Sequence, residues 1–379
     1  MKKTLLAVAL AAGFAGVAQA ETSVTLYGLI DAGIGYNQVK GANGDKASRI
    51  GAVDGVNSGS RFGLRGAEDL GDGLKALFTL EGGFSPNSGE SSQGGRLFGR
   101  QATVGLQSDN WGQLDFGRQT NLASKYFSGI DPSGISYDQA TMGTSFSSAN
   151  TVRLDNMVLY QTPSFSGFKF GVGYSFNADD NTANNPDADA AGGGFRTNNN
   201  NRVVTVGGRY QNGPLDVALS YDNFRPDSSR IKGQYDTDNV QAYIIGAAYD
   251  FEVVKVSAAF GQTFDGWFVG TSIDGLSDVD GTGLGSWKLA DGSRVNSYLL
   301  GISAPIGGAS NIWASWQRAD INNSRLAGDD ATSNTFSLGY TYDLSKRTNL
   351  YAMGSYGDNW AFQEDQRSTA VAVGLRHRF

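Results

Sequence analysis

Residues 168–176 read FKFGVGYSF, and they alternate strictly between two kinds of side chain. Every second position from Phe168 to Phe176 is aromatic or branched, whereas the positions between them are Lys169, Gly171, Gly173 and Ser175. A period of two is typical of a β-strand that has one apolar and one polar face. The same alternation recurs along the chain, in residues 24–36, 61–66, 254–260, 336–342 and 371–379.

The polar faces of these segments carry Gly, Ser, Thr and long cations, and aromatic residues recur at the strand ends. A soluble β-sandwich, the alternative, would turn its apolar faces inward and pack large branched side chains there. Small polar residues on one face and aromatic girdles on the other favour a transmembrane barrel whose polar face lines a lumen. We therefore expect an all-β chain that forms a transmembrane antiparallel β-barrel.

The connections between the strand patterns alternate in length. Short turns rich in Gly, Asn and Asp stand at residues 68–73, 109–112, 211–214, 305–308 and 343–346. Long polar stretches stand at residues 177–201, 222–238 and 262–295. Short turns at one rim and long loops at the other are typical of bacterial outer-membrane barrels. The segment count predicts sixteen strands, with fourteen and eighteen as alternatives. The predicted strands begin near Val24, Ser60, Leu74, Arg96, Gln113, Arg153, Phe168, Arg202, Leu215, Asn239, Val254, Asn296, Asn311, Ala331, Thr348 and Thr369.

The first twenty residues predict a cleaved signal peptide. Lys2 and Lys3 supply a positive start, residues 5–17 are apolar, and Ala18-Gln19-Ala20 fits the rule for signal peptidase. After Glu21 no apolar stretch is long enough to cross a bilayer as a helix, which needs about 20 residues. We expect residues 1–20 to be the export signal and residues 21–379 to form a single outer-membrane β-barrel domain.

Composition excludes several classes of function. The chain has no Cys and one His, which excludes disulfide frameworks, zinc fingers and thiol catalysis. With 30 Lys plus Arg against 37 Asp plus Glu, the chain is acidic, which argues against a nucleic-acid partner. A Ser–His enzyme would depend on His377, two residues from the chain end. We therefore expect no enzyme activity, no cofactor and no metal site.

Particular segments resemble a known family. Val24–Gly28, the block Ser60–Gly73, Phe116-Gly117-Arg118 and the terminal Phe379 are similar to the trimeric general diffusion porins of Gram-negative outer membranes, β-proteobacterial type. The resemblance implies a homotrimer of 16-stranded barrels in the outer membrane, each narrowed by a third loop that folds into the lumen. It also implies that Phe379 is the assembly signal, and that the surroundings are outer-membrane lipid and lipopolysaccharide.

The constriction loop would span about Thr120–Thr151. Several members of the family carry a Pro-Glu-Phe-Gly tip there, and this chain has Gly129-Ile130-Asp131-Pro132-Ser133-Gly134 instead. The candidates for an acid at the constriction are therefore Asp131 and Asp138.

Four arginines are candidates for the opposite wall of the constriction. Strand parity places Arg61, Arg65 and Arg153 on the polar face, and the resemblance matches Arg118 and Arg153 to arginines at the family's constriction. Arg118 has the parity of the apolar residues Leu114 and Phe116, so a bulge near Gly117 would be required to turn it inward. Three further residues are expected to face the lumen, namely Asp31, Lys169 and Lys255.

Several arginines against one or two acids would favour anions at the narrowing. We expect a water-filled channel for passive diffusion of ions and small hydrophilic solutes, with an anion preference. The alternative is a substrate-specific outer-membrane channel for sugars or organic anions. A sugar channel would need aromatic residues along the lumen, whereas the pattern places most of the strand aromatics on the lipid face.

Overall fold

The computed structural model describes residues 23–137, 139–179, 200–226, 239–270, 273, 276 and 283–379. The predicted signal peptide, residues 1–20, lies outside the described residues.

The described part of the chain forms one antiparallel sheet that closes on itself, because the first strand pairs with the last. Its strands are β1 Ser23–Lys40, β2 Lys46–Asp54, β3 Arg61–Gly71, β4 Leu74–Gly83, β5 Gln101–Ser108, β6 Gly112–Thr120, β7 Arg153–Gln161, β8 Phe168–Ser175, β9 Arg202–Asn212, β10 Leu215–Arg225, β11 Val240–Asp250, β12 Lys255–Trp267, β13 Lys288–Ile306, β14 Ser310–Ile321, β15 Ser333–Asp343, β16 Thr348–Asp358 and β17 Arg367–Arg378.

These seventeen segments make a barrel of sixteen strands. β1 pairs with β2 through Ala32–Lys40 and with β3 through Ser23–Leu29, so β2 and β3 lie end to end beside it. Residues 55–60 separate the two halves of this second strand. The predicted sixteen-stranded antiparallel barrel is therefore confirmed, although the sequence pattern did not reveal β2.

Helical structure in the described part of the chain is confined to short turns. They are α1 Ser92–Gly95, α2 Leu122–Phe127 and two 3₁₀ turns, Met142–Thr144 and Trp360–Phe362. Among the described residues, none of the helices has the length and apolar character needed to cross a membrane.

Burial alternates along the strands as the sequence predicts. In β8, Phe168, Phe170 and Val172 are 48%, 53% and 48% exposed, whereas Ser175 on the other face is fully buried. Branched and aromatic side chains are exposed in the same way on the outer face of most other strands. An exposed apolar band of this kind would be costly in water and is what a barrel presents to lipid.

The two ends of the barrel differ in their connections. At one end the connections are short, with residues 72–73, 109–111, 213–214 and 307–309 among them. At the other end the connections are longer. One of them is residues 121–152, which the structure describes except at residue 138. We call the end with the short turns the periplasmic end, following the usual orientation of such barrels.

The last residue completes the seam between β1 and β17. The Phe379 amide donates to the Gly28 carbonyl at 3.0 Å, and the Gly28 amide donates to the Phe379 carbonyl at 3.2 Å. The Phe379 ring lies directly over Gly28, where a side chain on residue 28 would collide with it. A closed seam leaves no open strand edge, which is a strict requirement inside lipid because unpaired backbone groups have no partner there.

Deleting Phe379 is expected to lower the amount of barrel assembled in the outer membrane several-fold. Both hydrogen bonds at the end of the seam would be lost, together with the aromatic ring over Gly28. The measurement is the quantity of folded, heat-modifiable protein in outer-membrane fractions. Phe379→Tyr, which keeps the backbone and the ring, is the control and should assemble normally. Equal amounts of the truncated and full-length protein would contradict the expectation.

Candidate functional site

Residues 121–152 connect β6 to β7 and lie inside the barrel, as expected for a constriction loop. Asn121 ties the beginning of this loop to its end and to the wall. Its side chain caps α2 by accepting from the Ser124 amide at 3.2 Å, and its amide donates to the Ser148 carbonyl at 2.8 Å and to Asp222 Oδ1 on β10 at 3.0 Å. The loop is therefore fixed to the lumen side of β10.

The loop packs its apolar side chains against glycines of the inner wall. A Cβ at Gly171 would lie 2.9 Å from Leu122 Cδ2, and one at Gly207 would lie 3.0 Å from the Tyr126 ring. Phe127 packs in the same way against Gly246, and Phe146 against Gly261; a Cβ on either glycine would lie 3.1 Å from the ring. Pro132 fills the space over Gly301. Because these strand positions lack side chains, the loop approaches the wall closely. Its largest residues are fully buried in what would otherwise be a polar lumen.

Hydrogen bonds secure the far side of the loop. Gln317 Nε2 on β14 donates to the Ala140 carbonyl at 2.6 Å, and Ser297 Oγ on β13 donates to the Ser145 carbonyl at 2.6 Å. Gln139 Nε2 reaches Ser368 Oγ on β17 at 2.5 Å. The loop therefore crosses the lumen from the end of β7 to β17, and it leaves uncovered the inner faces of β3–β6 and of the first residues of β7.

Five guanidinium groups lie on this uncovered side, which we call the arginine wall. Two carboxylates bind four of these groups. Glu81 Oε1 accepts from Arg100 Nε at 2.7 Å and lies 3.9 Å from Arg61 Nη1. Asp155 accepts from Arg96 Nη2 at 2.7 Å and from Arg118 Nη1 at 2.5 Å. The members of the arginine wall are Arg61 on β3, Arg96 and Arg100 before β5, Arg118 on β6 and Arg153 on β7.

The arginine wall carries an excess of positive charge. Its acids among the described residues are Glu81, Asp155 and, at the edge, Asp179, whose half-exposed carboxylate lies 3.4 Å from Arg96. Five guanidinium groups against three carboxylates leave two positive charges. Arg153 has Arg61, Arg100 and Arg118 as its cationic neighbours, and its Nε has no hydrogen-bond partner.

Arg118 reaches the lumen through a bulge. Gly117 has a φ of +118°, and the pairing of β6 with β7 shifts between Gly117 and Gln119. This backbone conformation favours glycine, and the bulge turns Arg118 from the apolar face to the inner face. Its Nε donates to the Gly99 carbonyl at 2.7 Å, which fixes the guanidinium in place.

Asp131 does not lie at the lumen surface, which corrects its expected position as a constriction acid. Its carboxylate is buried inside the loop and accepts from the backbone amides of Ser133, Ile135 and Met142 at 2.9, 3.2 and 2.8 Å. Burial raises the pKa of Asp131 in spite of these donors. Asp131 shapes the turns of the loop because a short acceptor side chain can satisfy amides two to eleven residues away. The other candidate, Asp138, lies outside the described residues.

The remaining candidates face inward but lie apart from the arginine wall. Arg65 stacks over the Tyr27 ring at 5.2 Å, four residues nearer the periplasmic end than Arg61. Asp31 is buried, where it accepts from Tyr351 Oη at 2.7 Å and from the Ser58 amide at 2.8 Å, and so it holds residues 55–60 against the wall.

The two lysine candidates lie beside the loop. Lys255 Nζ donates to the Gly129 carbonyl at 2.6 Å and supports the loop from below. Lys169 is half-buried beside the loop at the periplasmic end.

Sequence reasoning missed Arg96, Arg100 and Glu81 as site residues. A strand was expected to begin near Arg96, but β5 begins at Gln101, so both arginines lie in a connection where strand parity does not apply. Glu81 has the inward parity of β4, and this is the signal that could have identified it as a partner for the arginines.

Replacing Gly301 with Val is expected to push the loop toward the arginine wall and to lower single-channel conductance. β13 lies on the opposite side of the sixteen-stranded barrel from β5, and a side chain at residue 301 would occupy the space of the Pro132 ring. Overpacking of this kind costs about 1–3 kcal/mol of stability. Gly354→Val is the control, because the nearest atom to a side chain at residue 354 is 3.7 Å away. Unchanged conductance in the Gly301 variant would contradict the packing described above.

Comparison with known proteins gives one consistent family. A family model described as Gram-negative porin matches residues 7–361. An outer membrane porin protein of Bordetella pertussis is 58% identical over 394 residues, and outer membrane porin protein 32 of Delftia acidovorans is 33% identical over 402 residues; both alignments cover 100% of each chain. An anion-selective porin from Comamonas acidovorans has a similar structure, with a TM-score of 0.70 and 29% identity over 95% of this chain and 100% of that one.

Proposed function

This chain belongs to the Gram-negative porin family of the outer membrane, and we propose that its barrel passes ions and small hydrophilic solutes by passive diffusion with a preference for anions. The observation that carries the proposal is the arginine wall, whose five guanidinium groups face a loop that narrows the lumen. The similar porin from Comamonas acidovorans, which is described as anion-selective, also supports a preference for anions.

The selectivity follows from fixed charge beside water. An excess of two positive charges in a narrow passage with low-dielectric walls raises the local concentration of anions and lowers that of cations. Four of the five guanidinium groups stay in place because carboxylates and the Gly99 carbonyl bind them, so these four do not collapse across the passage. The channel needs no bond chemistry, since a solute only exchanges part of its hydration shell for these groups.

We also propose that three copies of the chain assemble as a homotrimer in contact with lipid and lipopolysaccharide. The outer surface near the seam of the barrel supports this, because it is mainly aliphatic and exposed. Val24, Leu26 and Ile34 on β1 are 59–63% exposed, and Val371 and Val373 on β17 are 49% and 53% exposed. Three copies that bury such a surface form a closed ring around one axis.

Replacing both Arg61 and Arg153 with Ser is expected to reduce the chloride-to-potassium permeability ratio to near one. The two substitutions remove two of the five guanidinium groups and so leave three against three carboxylates. The measurement is the zero-current potential across a KCl gradient near 0.1 M, where the screening length is ~10 Å.

Arg65→Ser is the matched control, because Arg65 faces the lumen but lies apart from the arginine wall. It should change the permeability ratio much less than the double variant does. If the double variant keeps the wild-type potential, the arginine wall does not set the selectivity of the channel.

Mass measurement in mild detergent is expected to give three times the mass of one chain. Heating in strong detergent should then release single chains, which provides the internal control. A species with the mass of one chain in mild detergent would contradict the trimer.

A further inference from the structure

A second group of cations lies below the constriction loop. Between α2 and the inner faces of β7–β9 there is a cavity of about 250 Å³, which has room for several water molecules. We call it the lysine pocket. Its polar lining includes Lys125, Tyr126, Gln161, Lys169, Arg209 and Gln211.

The lysine pocket holds ammonium groups that have no bound counterion. Among the described residues, neither the Lys125 nor the Lys169 ammonium group has a hydrogen-bond or ion-pair partner within bonding distance. Arg209 differs, because Asp216 binds it through two bonds, of 2.8 Å to Nε and 2.5 Å to Nη2. Asp115 is the acid near the two lysines, and its carboxylate accepts from Gln113 Nε2 at 3.0 and 2.9 Å. Burial lowers the pKa of Lys125, and the neighbouring Lys169 lowers it further, while Asp115 opposes the change.

The pocket is well separated from the arginine wall. Gln113 on β6 pairs with Gln161 on β7, which pairs with Gly171 on β8, so these three residues lie at one level. Arg118 lies five residues above this level and Lys169 two residues below it. Seven residues correspond to about 23 Å along a strand, which exceeds the screening length of ~10 Å at 0.1 M salt. Solution ions therefore screen Lys169 and Arg118 from each other at this salt concentration.

The hydrogen-bonding groups of the pocket fit an oxyanion. Lys125 on α2 and Lys169 on β8 offer ammonium donors, and the Gln161 and Gln211 side chains add amide groups to the lining. The floor is organised, since Tyr126 Oη donates to Gln161 Oε1 at 3.3 Å and Gln211 Nε2 donates to Asp216 at 3.3 Å. Two unpaired positive charges at one cavity favour a compact ligand with two negative charges.

We propose that the lysine pocket binds a small divalent oxyanion of the sulfate and phosphate class at the periplasmic exit of the channel. This inference rests on the proposed function in one respect, because it assumes that anions pass through the lumen. A bound dianion neutralises the two lysines beside the exit and so lowers the local concentration of chloride, which makes occupancy visible as a reduction of chloride current.

The experiment titrates sodium sulfate, and in a separate arm sodium phosphate, on the short-turn side of single channels that carry chloride current. The wild-type channel is expected to show saturable block. Lys125→Gln combined with Lys169→Gln is expected to raise the half-blocking sulfate concentration about tenfold, and Lys169→Gln alone about threefold, as the loss of one partly exposed ion pair per lysine implies. The single variant leaves α2 unchanged, so the test does not depend on the double variant inserting.

Lys75→Gln is the matched control, since Lys75 lies near the same rim on β4 and outside the pocket. It should keep the wild-type half-blocking concentration. Sulfate block that survives both lysine substitutions, or that is weakened equally in the Lys75 variant, would overturn the proposal. Block in the sulfate arm alone would restrict the ligand to sulfate and the strong-acid oxyanions, and block in the phosphate arm alone would restrict it to phosphate.

Failure of this inference is separable from failure of the proposed function. The two lysine substitutions should leave the zero-current potential in KCl on the anion side, because the arginine wall is unchanged. The Arg61→Ser and Arg153→Ser double variant should conversely keep the sulfate block while losing its anion preference. A loss of block in that variant as well would show that the lysine pocket is not an independent site.

Discussion

The packing of residues 121–152 against the inner wall is the contact that determines the shape of the lumen. The wall strands carry glycine where the loop lies, so that Leu122, Phe127 and Phe146 occupy space that side chains would otherwise fill. Apolar burial and close packing then stabilise the loop inside a barrel whose interior is otherwise wetted. One half of the lumen becomes a packed core, and the passage is confined to the half lined by β3–β6 and the beginning of β7.

Because the loop fills one half of the lumen, the charged side chains that solutes meet are those of the other half. With the loop fixed across the barrel, water and solutes pass beside the arginine wall. There Glu81 and Asp155 position four of the five guanidinium groups without neutralising the wall completely. Ion pairs of this kind contribute little to stability when solvent screens them. Their effect here is positional, because they hold several like charges close together at the narrowing.

Much of the fold could be predicted from the sequence because period-two alternation is a local property. The expected starts at Leu74, Arg153, Phe168 and Thr348 coincide with those of the strands. β2 was missed because residues 55–60 interrupt the second strand, so Lys46–Asp54 has no long alternating run. β13 begins at Lys288, eight residues before the expected start at Asn296, because its first residues, KLADGSRV, show no period-two alternation.

The candidate site was less accessible to sequence reasoning, since it depends on residues where alternation fails. Arg118 is turned inward by the bulge at Gly117, which a straight strand would not allow. Arg96 and Arg100 lie in a connection, and the sequence alone does not distinguish a pore-facing Asp131 from one that binds its own loop. These positions are set by tertiary contacts that local patterning does not encode.

The zero-current potential of the wild-type channel at two salt concentrations tests the central claim most directly. If excess charge on the arginine wall sets the selectivity, chloride should be preferred over potassium near 0.1 M KCl. The preference should shrink near 1 M, where the screening length falls to ~3 Å. A preference for potassium near 0.1 M, or a chloride preference that does not change with salt, would contradict this explanation of the channel.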